Sequence, residues 1–454
     1  MELFGSSGAR GVVGEELTPE FILEVAAAAG SVWNAERVAL ARDTRVSGRM
    51  LANAAASGLS AVGCDVDRLG VLPIPAAQAY AEREAVPAVM ITASHNPPEY
   101  NGVKLIGADG VELSVAELET VERRVLAETP ERVPWDRIGR ERRIEGARED
   151  YVEEIVASVD RERIARAELT VALDPGHGAG SLTSPDVFRT LGCRVLTVNA
   201  QTDGTFPGRN PEPVEENLED LKRLVRTSDA DVGIAHDGDA DRAIFVDETG
   251  TYVEGDAALA ALAAAELSAG DTTVAAVNVS QRLVDVASEA GAELFLTPIG
   301  STNLITRIEA LQEEGASVPI AGEGNGGIFF PNYRLARDGA YVAARFLELL
   351  ADRQASEIVE AVDGYENVRF NLRYDSLGER EAMLSRLETL AHEAAVEVTT
   401  IDGYRFEHED GWVLARASGT EPILRIYAEA RERDRAKELA EELRTALETA
   451  QGED

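Results

Sequence analysis

Cysteine and long apolar runs are scarce in this chain of 454 residues. The two cysteines, Cys64 and Cys193, lie far apart and lack the spacing of metal ligands, so we expect small core residues in a reducing cytoplasm. No apolar stretch is long enough to cross a bilayer, and the first residues lack the basic and apolar regions of a signal peptide. The sequence therefore predicts a cytoplasmic protein that does not bind membranes.

Positive charge is also scarce. The chain has 44 lysine and arginine residues against 82 aspartate and glutamate residues, a formal net charge of −38, which argues against nucleic acid and anionic membranes as partners. Only three of the basic residues are lysines. An acidic, lysine-poor composition resembles that of proteins from salt-loving archaea, so we expect an archaeal, halophilic protein. A site for an anionic substrate must then gather cations locally, and Lys104 is conspicuous as one of so few lysines.

A pattern of apolar strand, polar loop, helix and second strand occurs three times. The strand and loop of each copy are residues 37–41 and 42–45, 171–174 and 175–180, and 273–277 and 278–281. Strands that alternate with helices predict parallel pairing with right-handed crossovers, so we expect three related α/β domains with mixed sheets. After residue 364 the pattern becomes strand, helix, strands and a final helix, which predicts a smaller α+β domain.

These changes of pattern give the predicted domain boundaries. We expect domain I at residues 1–148, domain II at 149–249, domain III at 250–363 and domain IV at 364–454. The charged stretch from about residue 129 to residue 150 has no clear strand pattern and is expected to separate the first two domains.

A polar loop with a serine and a histidine follows the apolar segment 88–91. Ser94 and His95 lie directly after that predicted strand, and two prolines close the loop. Proteins of the α/β class place their chemistry on such loops at strand ends. A serine hydroxyl becomes a nucleophile when a base or a cation acts on it, and His95 and Lys104 are the candidates. Taken alone, the stretch also fits a turn with an incidental serine.

Three carboxylates alternate along a later segment. Asp237, Asp239 and Asp241 offer oxygen ligands at a spacing that suits Mg²⁺ or Ca²⁺. The spacing also matches the start of an EF-hand, but Arg242 stands where that loop needs glycine, and an apolar strand follows at once. We therefore reject the EF-hand, and a solvated acidic turn stays open as the alternative.

Two glycine-rich segments invite comparison with phosphate-binding loops. Residues 322–327 lack both the phosphate-loop lysine and the dinucleotide spacing, but Glu323 and Asn325 can hydrogen-bond vicinal hydroxyls. A plain flexible turn is the alternative there. Residues 174–180 also lack the dinucleotide spacing, and we predict a structural turn.

A fourth polar loop lies between two predicted strands near the C-terminus. Residues 416–422 combine Arg416 with the hydroxyls of Ser418 and Thr420. Together with free backbone N–H groups, these side chains suit an anion. An ordinary hairpin is the alternative.

In their order and separations, the four loops resemble the motifs of the α-D-phosphohexomutases. This family includes phosphoglucomutases, phosphomannomutases and phosphoglucosamine mutases, and the likeness spans nearly the whole chain. It implies three related α/β domains and a smaller fourth domain around a central cleft, in agreement with the repeats. It further implies transfer of phosphate between the 6- and 1-positions of a hexose, through a phosphoserine enzyme and a bisphosphorylated sugar, with one Mg²⁺ bound.

The resemblance also implies a role for each motif. It assigns the covalent phosphate to Ser94; Mg²⁺ binding to that phosphoserine with Asp237, Asp239 and Asp241; proton transfer to His95 and Lys104; sugar binding to Glu323 and Asn325; substrate phosphate binding to Arg416, Ser418, Gly419 and Thr420; and the lining of the site to Arg10 and Arg242, with Arg45 as a further candidate. A lysine beside cations has a lowered pKa, which would allow Lys104 to pass a proton.

The loop that resembles the sugar-binding motif departs from bacterial patterns. It reads Gly-Glu-Gly-Asn-Gly-Gly, whereas bacterial phosphoglucosamine mutases carry Gly-Glu-Gln-Ser-Gly-His and many phosphomannomutase/phosphoglucomutases carry Gly-Glu-Met-Ser-Gly-His. The asparagine form resembles archaeal members labelled phosphoglucosamine mutase. We therefore expect glucosamine 6-phosphate and glucosamine 1-phosphate as the substrate pair, with glucose or mannose phosphates as the alternative.

Two other classes of protein stay open. A sugar-phosphate phosphatase would use the same nucleophile and metal, but the separate phosphate-binding domain argues against it. A non-catalytic binder would be expected to have lost Ser94 or the aspartates, which are intact. The sequence predicts small hexose phosphates as partners and gives no oligomeric state.

Overall fold

Four β-sheets follow one another along the chain. The computed structural model describes residues 3–5, 8–127, 130, 132–418 and 422–451. Within these residues the sheets have six, five, five and five strands. No helix in this part of the chain combines the length and the apolar character needed to cross a membrane. The predicted fold, with three mixed α/β domains and a smaller α+β domain, is confirmed.

The first sheet and its helices form domain I. The elements are β1 (Ala9–Val12), β2 (Arg37–Arg42), β3 (Asp65–Val71), β4 (Ala88–Ile91), β5 (Tyr100–Ile106), β6 (Glu141–Arg143), α1 (Pro19–Trp33), α2 (Gly48–Ala61), α3 (Ile74–Glu84) and α4 (Val115–Leu126). The first helix begins at Pro19 because the hydroxyl of Thr18 accepts a hydrogen bond from the N–H of Phe21. It ends where Asn34 turns left-handed.

One expectation for this region is wrong. The charged stretch between the first two domains was expected to contain no strand, but β6 pairs in parallel with β3. All three residues of β6 are exposed, so the strand forms through its backbone and carries no apolar alternation that would have marked it in the sequence.

The second sheet belongs to domain II. The elements are α5 (Ala147–Ala157), α6 (Arg161–Arg166), β7 (Thr170–Asp174), α7 (Ser184–Thr190), β8 (Arg194–Thr197), α8 (Glu219–Ser228), β9 (Val232–Ala235), β10 (Ile244–Val246) and β11 (Tyr252–Val253). The sheet has the order β11-β10-β9-β7-β8. The middle strands β7, β9 and β10 are almost entirely buried, which explains their short, continuously apolar sequences.

The third sheet belongs to domain III. The elements are α9 (Gly255–Glu266), β12 (Thr272–Ala276), α10 (Gln281–Ala290), β13 (Glu293–Thr297), α11 (Ser301–Glu313), β14 (Ala321–Gly322), β15 (Ile328–Phe330), β16 (Arg334–Arg337), α12 (Gly339–Leu350) and α13 (Ala355–Glu360). Apolar side chains of this domain join those of domains I and II in one continuous core. The predicted boundaries between the domains stay predictions.

The three α/β domains share one plan. In each, a central strand (β2, β7 or β12) has a parallel neighbour on both sides. One of those neighbours (β4, β9 or β14) then turns back into an antiparallel strand. The polar loop of each domain lies at that reversal. We call residues 92–99 the serine loop, 236–243 the aspartate loop and 323–327 the glycine loop.

Domain IV has an antiparallel sheet of its own. The elements are β17 (Glu366–Arg373), α14 (Leu377–Glu393), β18 (Glu397–Thr399), β19 (Tyr404–His408), β20 (Gly411–Ala417), β21 (Ile423–Ala430) and α15 (Arg433–Gln451). The domain packs against the end of β12, because Arg405 donates hydrogen bonds to the carbonyls of Val277 and Val279. The backbone N–H of Gln281 donates to Glu429 at the same interface.

Candidate active site

Ser94 is held in an unusual conformation at the start of the serine loop. It is 1% exposed, and its φ of 51° lies in the left-handed region, which a residue other than glycine rarely adopts. The hydroxyl donates a 2.6 Å hydrogen bond to Oδ2 of Asp237 and lies 3.4 Å from Nδ1 of His95. The loop thus directs the hydroxyl of domain I at the aspartate loop of domain II.

Arg45 holds the backbone of the serine loop in place. Its buried guanidinium donates hydrogen bonds of 2.6–2.9 Å to four backbone carbonyls within residues 94–100. Its Nε pairs with Asp43 at 3.1 Å, and the side chains of both residues are fully buried. Asp43 also accepts a hydrogen bond from Thr92, whose hydroxyl in turn accepts from the N–H of Ser94. Its position makes Arg45 a support for the serine loop rather than a residue that lines the cleft.

The aspartate loop contains a buried group of three acids. Asp237, Asp239 and Asp241 each offer an oxygen within 4.8 Å of the others. Oδ1 of Asp239 and Oδ1 of Asp241 are buried and accept no hydrogen bond. Burial raises the pKa of Asp237 well above its usual value, and its two acidic neighbours raise it further. These residues fit a hard divalent cation, which would satisfy the free oxygens and offset the repulsion among the carboxylates.

The turn after β7 lies against the aspartate loop. The N–H of Ala179 donates a 2.9 Å hydrogen bond to the carbonyl of Gly238. A Cβ at Gly178 would lie 2.6 Å from that same carbonyl oxygen, so only glycine permits the close approach of the two backbones. The segment therefore forms a turn with a packing role.

Lys104 extends from β5 into the same group of acids. Its ammonium lies 3.1 Å from Asp241, 3.4 Å from Glu112 and 3.6 Å from Asp239. Burial lowers the pKa of Lys104, but these three carboxylates outweigh burial and the net shift is upward. The expectation of a lowered pKa was therefore wrong, because carboxylates rather than cations are the near neighbours. Glu112 was not singled out in the sequence, where no motif marks it.

His95 lies beside two arginines. Nη2 of Arg242 donates to Nδ1 of His95 over 3.0 Å when the ring is neutral. Burial, followed by the charges of Arg242 and Arg10, lowers the pKa of His95 well below its usual value. Nη1 of Arg10 also donates a 3.0 Å hydrogen bond to Asn96 of the serine loop. The structure therefore brings both predicted lining arginines against the serine loop and favours a neutral His95.

The glycine loop closes the domain III side of the cleft. Oε1 of Glu323 accepts a 3.2 Å hydrogen bond from the N–H of Gly300, and Oε2 lies 3.4 Å from the amide nitrogen of Asn325. Arg337, which no motif had marked, lies 3.6 Å from the same Oε2 and donates a 2.6 Å hydrogen bond to Asp241. Arg337 thus links the sugar-binding candidate Glu323 to the aspartate loop.

The predicted phosphate-binding residues lie in domain IV. Arg416 ends β20, where its Nε pairs with Asp402 at 3.1 Å. Asp402 also accepts a hydrogen bond from the N–H of Ile299 in domain III. The N–H of Ser418 donates to the carbonyl of Ile423 across the hairpin. Gly419 and Thr420 lie outside the described residues. Within the residues that the structure describes, Arg416 is thus paired with Asp402, and no contact joins it to Ser94.

Comparison with known families covers nearly the whole chain. The matching family models describe phosphoglucomutase/phosphomannomutase, with alpha/beta/alpha domain I at residues 1–132, domain II at 149–250, domain III at 254–365 and the C-terminal domain at 350–446. The chain belongs to this family. It is therefore a phosphohexomutase, an isomerase, and the resemblance inferred from the four loops is confirmed.

Individual members of the family are similar along their full length. The phosphohexomutase is 42% identical over 450 residues to the phosphoglucomutase/phosphomannomutase of Thermococcus kodakarensis, covering 97% of both chains. It is 40% identical over 444 residues to a probable phosphoglucosamine mutase of Methanopyrus kandleri, covering 97% of this chain and 96% of the other. A crystal structure of a phosphoglucomutase/phosphomannomutase family protein from Burkholderia thailandensis superposes with a TM-score of 0.86 at 29% identity, covering 99% of this chain and 98% of the other.

Proposed function

We propose that this phosphohexomutase interconverts glucosamine 6-phosphate and glucosamine 1-phosphate, with Ser94 as the carrier of the phosphoryl group. The observation that carries the proposal is the position of the Ser94 hydroxyl, held by a left-handed backbone 2.6 Å from an acid of the buried triad. The sugar is proposed because the glycine loop has its asparagine form here, and because relatives of about 40% identity bear the name probable phosphoglucosamine mutase.

The three aspartates are proposed to hold one Mg²⁺ together with the phosphorylated Ser94. When bound, the cation offsets negative charge on the transferring phosphoryl group. Asp237, Asp239 and Asp241 fit this role because their carboxylates are buried and mutually close, and two of their oxygens lack hydrogen-bond donors.

The reaction is proposed as two phosphoryl transfers. In the first, the free hydroxyl of the hexose phosphate attacks phosphorus and loses its proton, while the bond from phosphorus to Oγ of Ser94 breaks and the freed Oγ gains a proton. In the second, Oγ of Ser94 attacks the other phosphate of the bisphosphorylated sugar, and the released sugar oxygen gains a proton. His95 is proposed to exchange the proton of Oγ, because its Nδ1 lies 3.4 Å away and can take that proton once the hydrogen bond from Arg242 is released. The ammonium of Lys104 is proposed to supply positive charge at the metal site, where it lies 3.1 Å from Asp241.

Between the two transfers the bisphosphorylated sugar has to turn round without leaving. One anion site can hold either phosphate in turn, and Arg416, Ser418, Gly419 and Thr420 are proposed to form it. Glu323 and Asn325 are proposed to hold the sugar hydroxyls, with Arg10 and Arg242 at the reacting phosphate. Separate sites for sugar and phosphate account for the use of four domains around one cleft.

A direct test follows the phosphorus atoms. Phosphorus NMR of the protein with Mg²⁺ and a trace of hexose bisphosphate, offered glucosamine 6-phosphate, glucose 1-phosphate or mannose 1-phosphate separately, is expected to show interconversion fastest for glucosamine 6-phosphate. Free inorganic phosphate alone would indicate a phosphatase, and no change with any sugar would contradict the mutase.

A second substrate class has one observation in its favour. The relative from Thermococcus kodakarensis, at 42% identity, bears the name phosphoglucomutase/phosphomannomutase. Glucose and mannose phosphates are therefore the alternative substrates, and faster turnover of either in the same experiment would establish it.

We also propose that the enzyme works at high salt in a reducing archaeal cytoplasm. The net charge of −38, with arginine in place of nearly all lysines, supports the first part, and the two buried, unpaired cysteines support the second. Turnover and the thermal midpoint are expected to rise with KCl concentration. Full activity and stability in dilute buffer would contradict the proposal.

A further inference from the structure

Arg337 is a buried cation that joins three domains at the cleft. It ends β16 of domain III and is 5% exposed. Nη2 donates a 2.6 Å hydrogen bond to Oδ2 of Asp241 and lies 3.8 Å from Glu112 of domain I, while Nη1 lies 3.6 Å from Glu323. One guanidinium therefore contacts the aspartate loop, the glycine loop and the acid that pairs with Lys104.

The hydrogen bonds to Asp241 converge on one oxygen of its carboxylate, while Nε of Arg242 lies 3.8 Å from the other oxygen, Oδ1, without a hydrogen bond. Lys104 and Arg337 both bind Oδ2, whereas the buried Oδ1 accepts no hydrogen bond. Because two donors hold the same oxygen, the orientation of the carboxylate is fixed, and Oδ1 accepts no hydrogen bond. A planar guanidinium fork suits such a role better than a flexible point charge, since its two nitrogens reach two carboxylates at once.

Gly327 makes room for this arginine. A Cβ at Gly327 would lie 2.8 Å from Cδ of Arg337 and 3.0 Å from Oδ1 of Asn325, and the first distance is shorter than real Cβ contacts. Gly327 does not have a left-handed φ, so its backbone alone does not require glycine. Position 327 is where the bacterial loops quoted above carry histidine, and in this chain Arg337 fills the neighbouring space from β16.

We propose that Arg337 is a positioning residue that fixes Glu323 of the glycine loop relative to Asp241 of the aspartate loop, and that Gly327 is glycine because a side chain there displaces Arg337. The inference rests on the proposed function, in which Glu323 holds the sugar and Asp241 the metal. It adds Arg337, which lies outside the four motifs, to the residues of the site. It also explains why the glycine loop has glycine at position 327, where the bacterial loops carry histidine.

The proposal predicts two effects of opposite sign in Arg337→Ala. Glu323 loses its charged partner, so KM for the hexose phosphate is expected to rise at least about tenfold. Loss of a positive charge beside the acidic triad strengthens its attraction for a divalent ion, so Mn²⁺, titrated by electron paramagnetic resonance as a probe, is expected to bind about threefold or more tightly. General loosening of the site would weaken both.

A double-mutant cycle tests the partnership with Gly327. Gly327→Ala alone is expected to raise KM in the same direction as Arg337→Ala. In the double variant, Arg337→Ala removes the Cδ that the new methyl group would strike, so Gly327→Ala is expected to add little further effect. Full additivity of the two changes in KM would overturn the role given to Gly327.

Two matched controls come from the same chain. Arg334 begins β16, is equally buried, and pairs with Glu82 of domain I and Glu154 of domain II away from the cleft. Arg334→Ala is expected to lower the thermal midpoint and leave KM and Mn²⁺ affinity unchanged. Gly48→Ala would place its Cβ 3.4 Å from Cδ of Arg42, an ordinary contact, and is expected to leave KM unchanged.

The conservative variant separates charge from shape. Arg337→Lys keeps the positive charge but not the fork, so Mn²⁺ affinity is expected to stay near the wild-type value while KM still rises. It also provides a test if Arg337→Ala does not fold. If Arg337→Lys and Arg337→Ala only lower the thermal midpoint, as Arg334→Ala does, the positioning role is contradicted. If the wild-type protein does not interconvert hexose phosphates, the proposed function fails, whereas the Mn²⁺ titrations still decide whether Arg337 acts on the aspartate loop.

Discussion

Charged side chains near the cleft are buried and paired, whereas those of the outer surface are exposed to water. Beneath the serine loop, the side chains of Asp43 and Arg45 are fully buried, whereas Glu162 and Arg166 on α6 form a pair with side chains 90% and 75% exposed. A buried charge needs a partner at a defined position, because an unpaired one is costly to hold away from water. An exposed charge needs none, so the outer surface can become acidic without affecting the site.

The comparison also explains how a protein of net charge −38 can bind an anionic substrate. Cations are concentrated where the domains meet, and the residues concerned are Arg10, Lys104, Arg242 and Arg337. The acids of the triad lie among them, so local charge at the cleft is nearly balanced while the exterior is strongly negative. One of only three lysines in the chain is used at this point.

The largest expected effect comes from breaking the buried pair. Arg45→Ala leaves Asp43 without its cation and four backbone carbonyls within residues 94–100 without this donor. We expect a loss of about 3–5 kcal/mol in the free energy of unfolding. Urea unfolding measures it, and the same variant should lose most of its turnover. A loss below about 1 kcal/mol, typical of exposed pairs, would contradict the distinction.

A buried acid beside the glycine loop, Asp256, gives a pH-dependent effect on stability. Burial and the charge of Glu429 raise the pKa of Asp256 from its usual 3.8 to about 6, with Glu254, Arg369 and the N–H of Ser280 also facing it. The folded state therefore binds the proton of Asp256 more tightly than the unfolded state does. The protonated acid gives the folded state its full stability below about pH 4, and this contribution is lost as the pH rises through 6. The difference corresponds to about 3 kcal/mol at neutral pH.

Asp256→Asn removes this dependence. The variant is expected to be more stable than the wild type at pH 7.5 and similar to it at pH 4, as measured by urea midpoints at the two values. Asp136→Asn, at an exposed position, is the control and should change neither midpoint. Equal midpoints for Asp256→Asn and the wild type at pH 7.5 would mean that this buried acid behaves like a surface acid.

Metal binding tests the triad itself. Asp239→Asn removes one charge from the three acids and is expected to weaken Mn²⁺ binding by about a hundredfold, because affinity for a hard cation follows the charge of its ligands. Asp247→Asn, in the turn after β10, provides a control outside the triad that should bind Mn²⁺ normally. Unchanged affinity in Asp239→Asn would remove the triad as the site of the cation.

The smallest effect is expected at the surface. Arg166→Ala breaks the exposed pair on α6 and should change the free energy of unfolding by less than about 1 kcal/mol, since water screens the pair. The measurement is again a urea midpoint. A loss comparable to that of Arg45→Ala would show that exposed pairs also hold this fold together.

Local patterns in the sequence were sufficient to predict the repeated architecture and the loops of the cleft. Ser94 and the aspartates lie directly after short apolar strands, and the shared topology places these loops at the same point of each domain. The side chains that contact these loops from other parts of the chain were not predictable in this way. Arg337 meets Asp241 across 96 positions of the sequence, and no motif marks it.

The error over Lys104 has the same origin. The sign of the pKa shift of Lys104 depends on the carboxylates of Glu112 and the aspartate loop. These groups come close to Lys104 only in the folded protein, so the local sequence does not reveal them. Exposed strands such as β6 are a different case, because backbone pairing alone forms them and leaves no apolar pattern.

The most direct test of the account is the mass of the intact protein during the reaction. Wild-type protein incubated with hexose bisphosphate is expected to gain the mass of one phosphoryl group, with fragmentation assigning it to Ser94, and to lose it when hexose monophosphate is added. Ser94→Ala is expected to gain none and to lose at least about a thousandfold in turnover. A phosphoryl group on another residue, or wild-type turnover in Ser94→Ala, would contradict the central claim that Ser94 carries the phosphate.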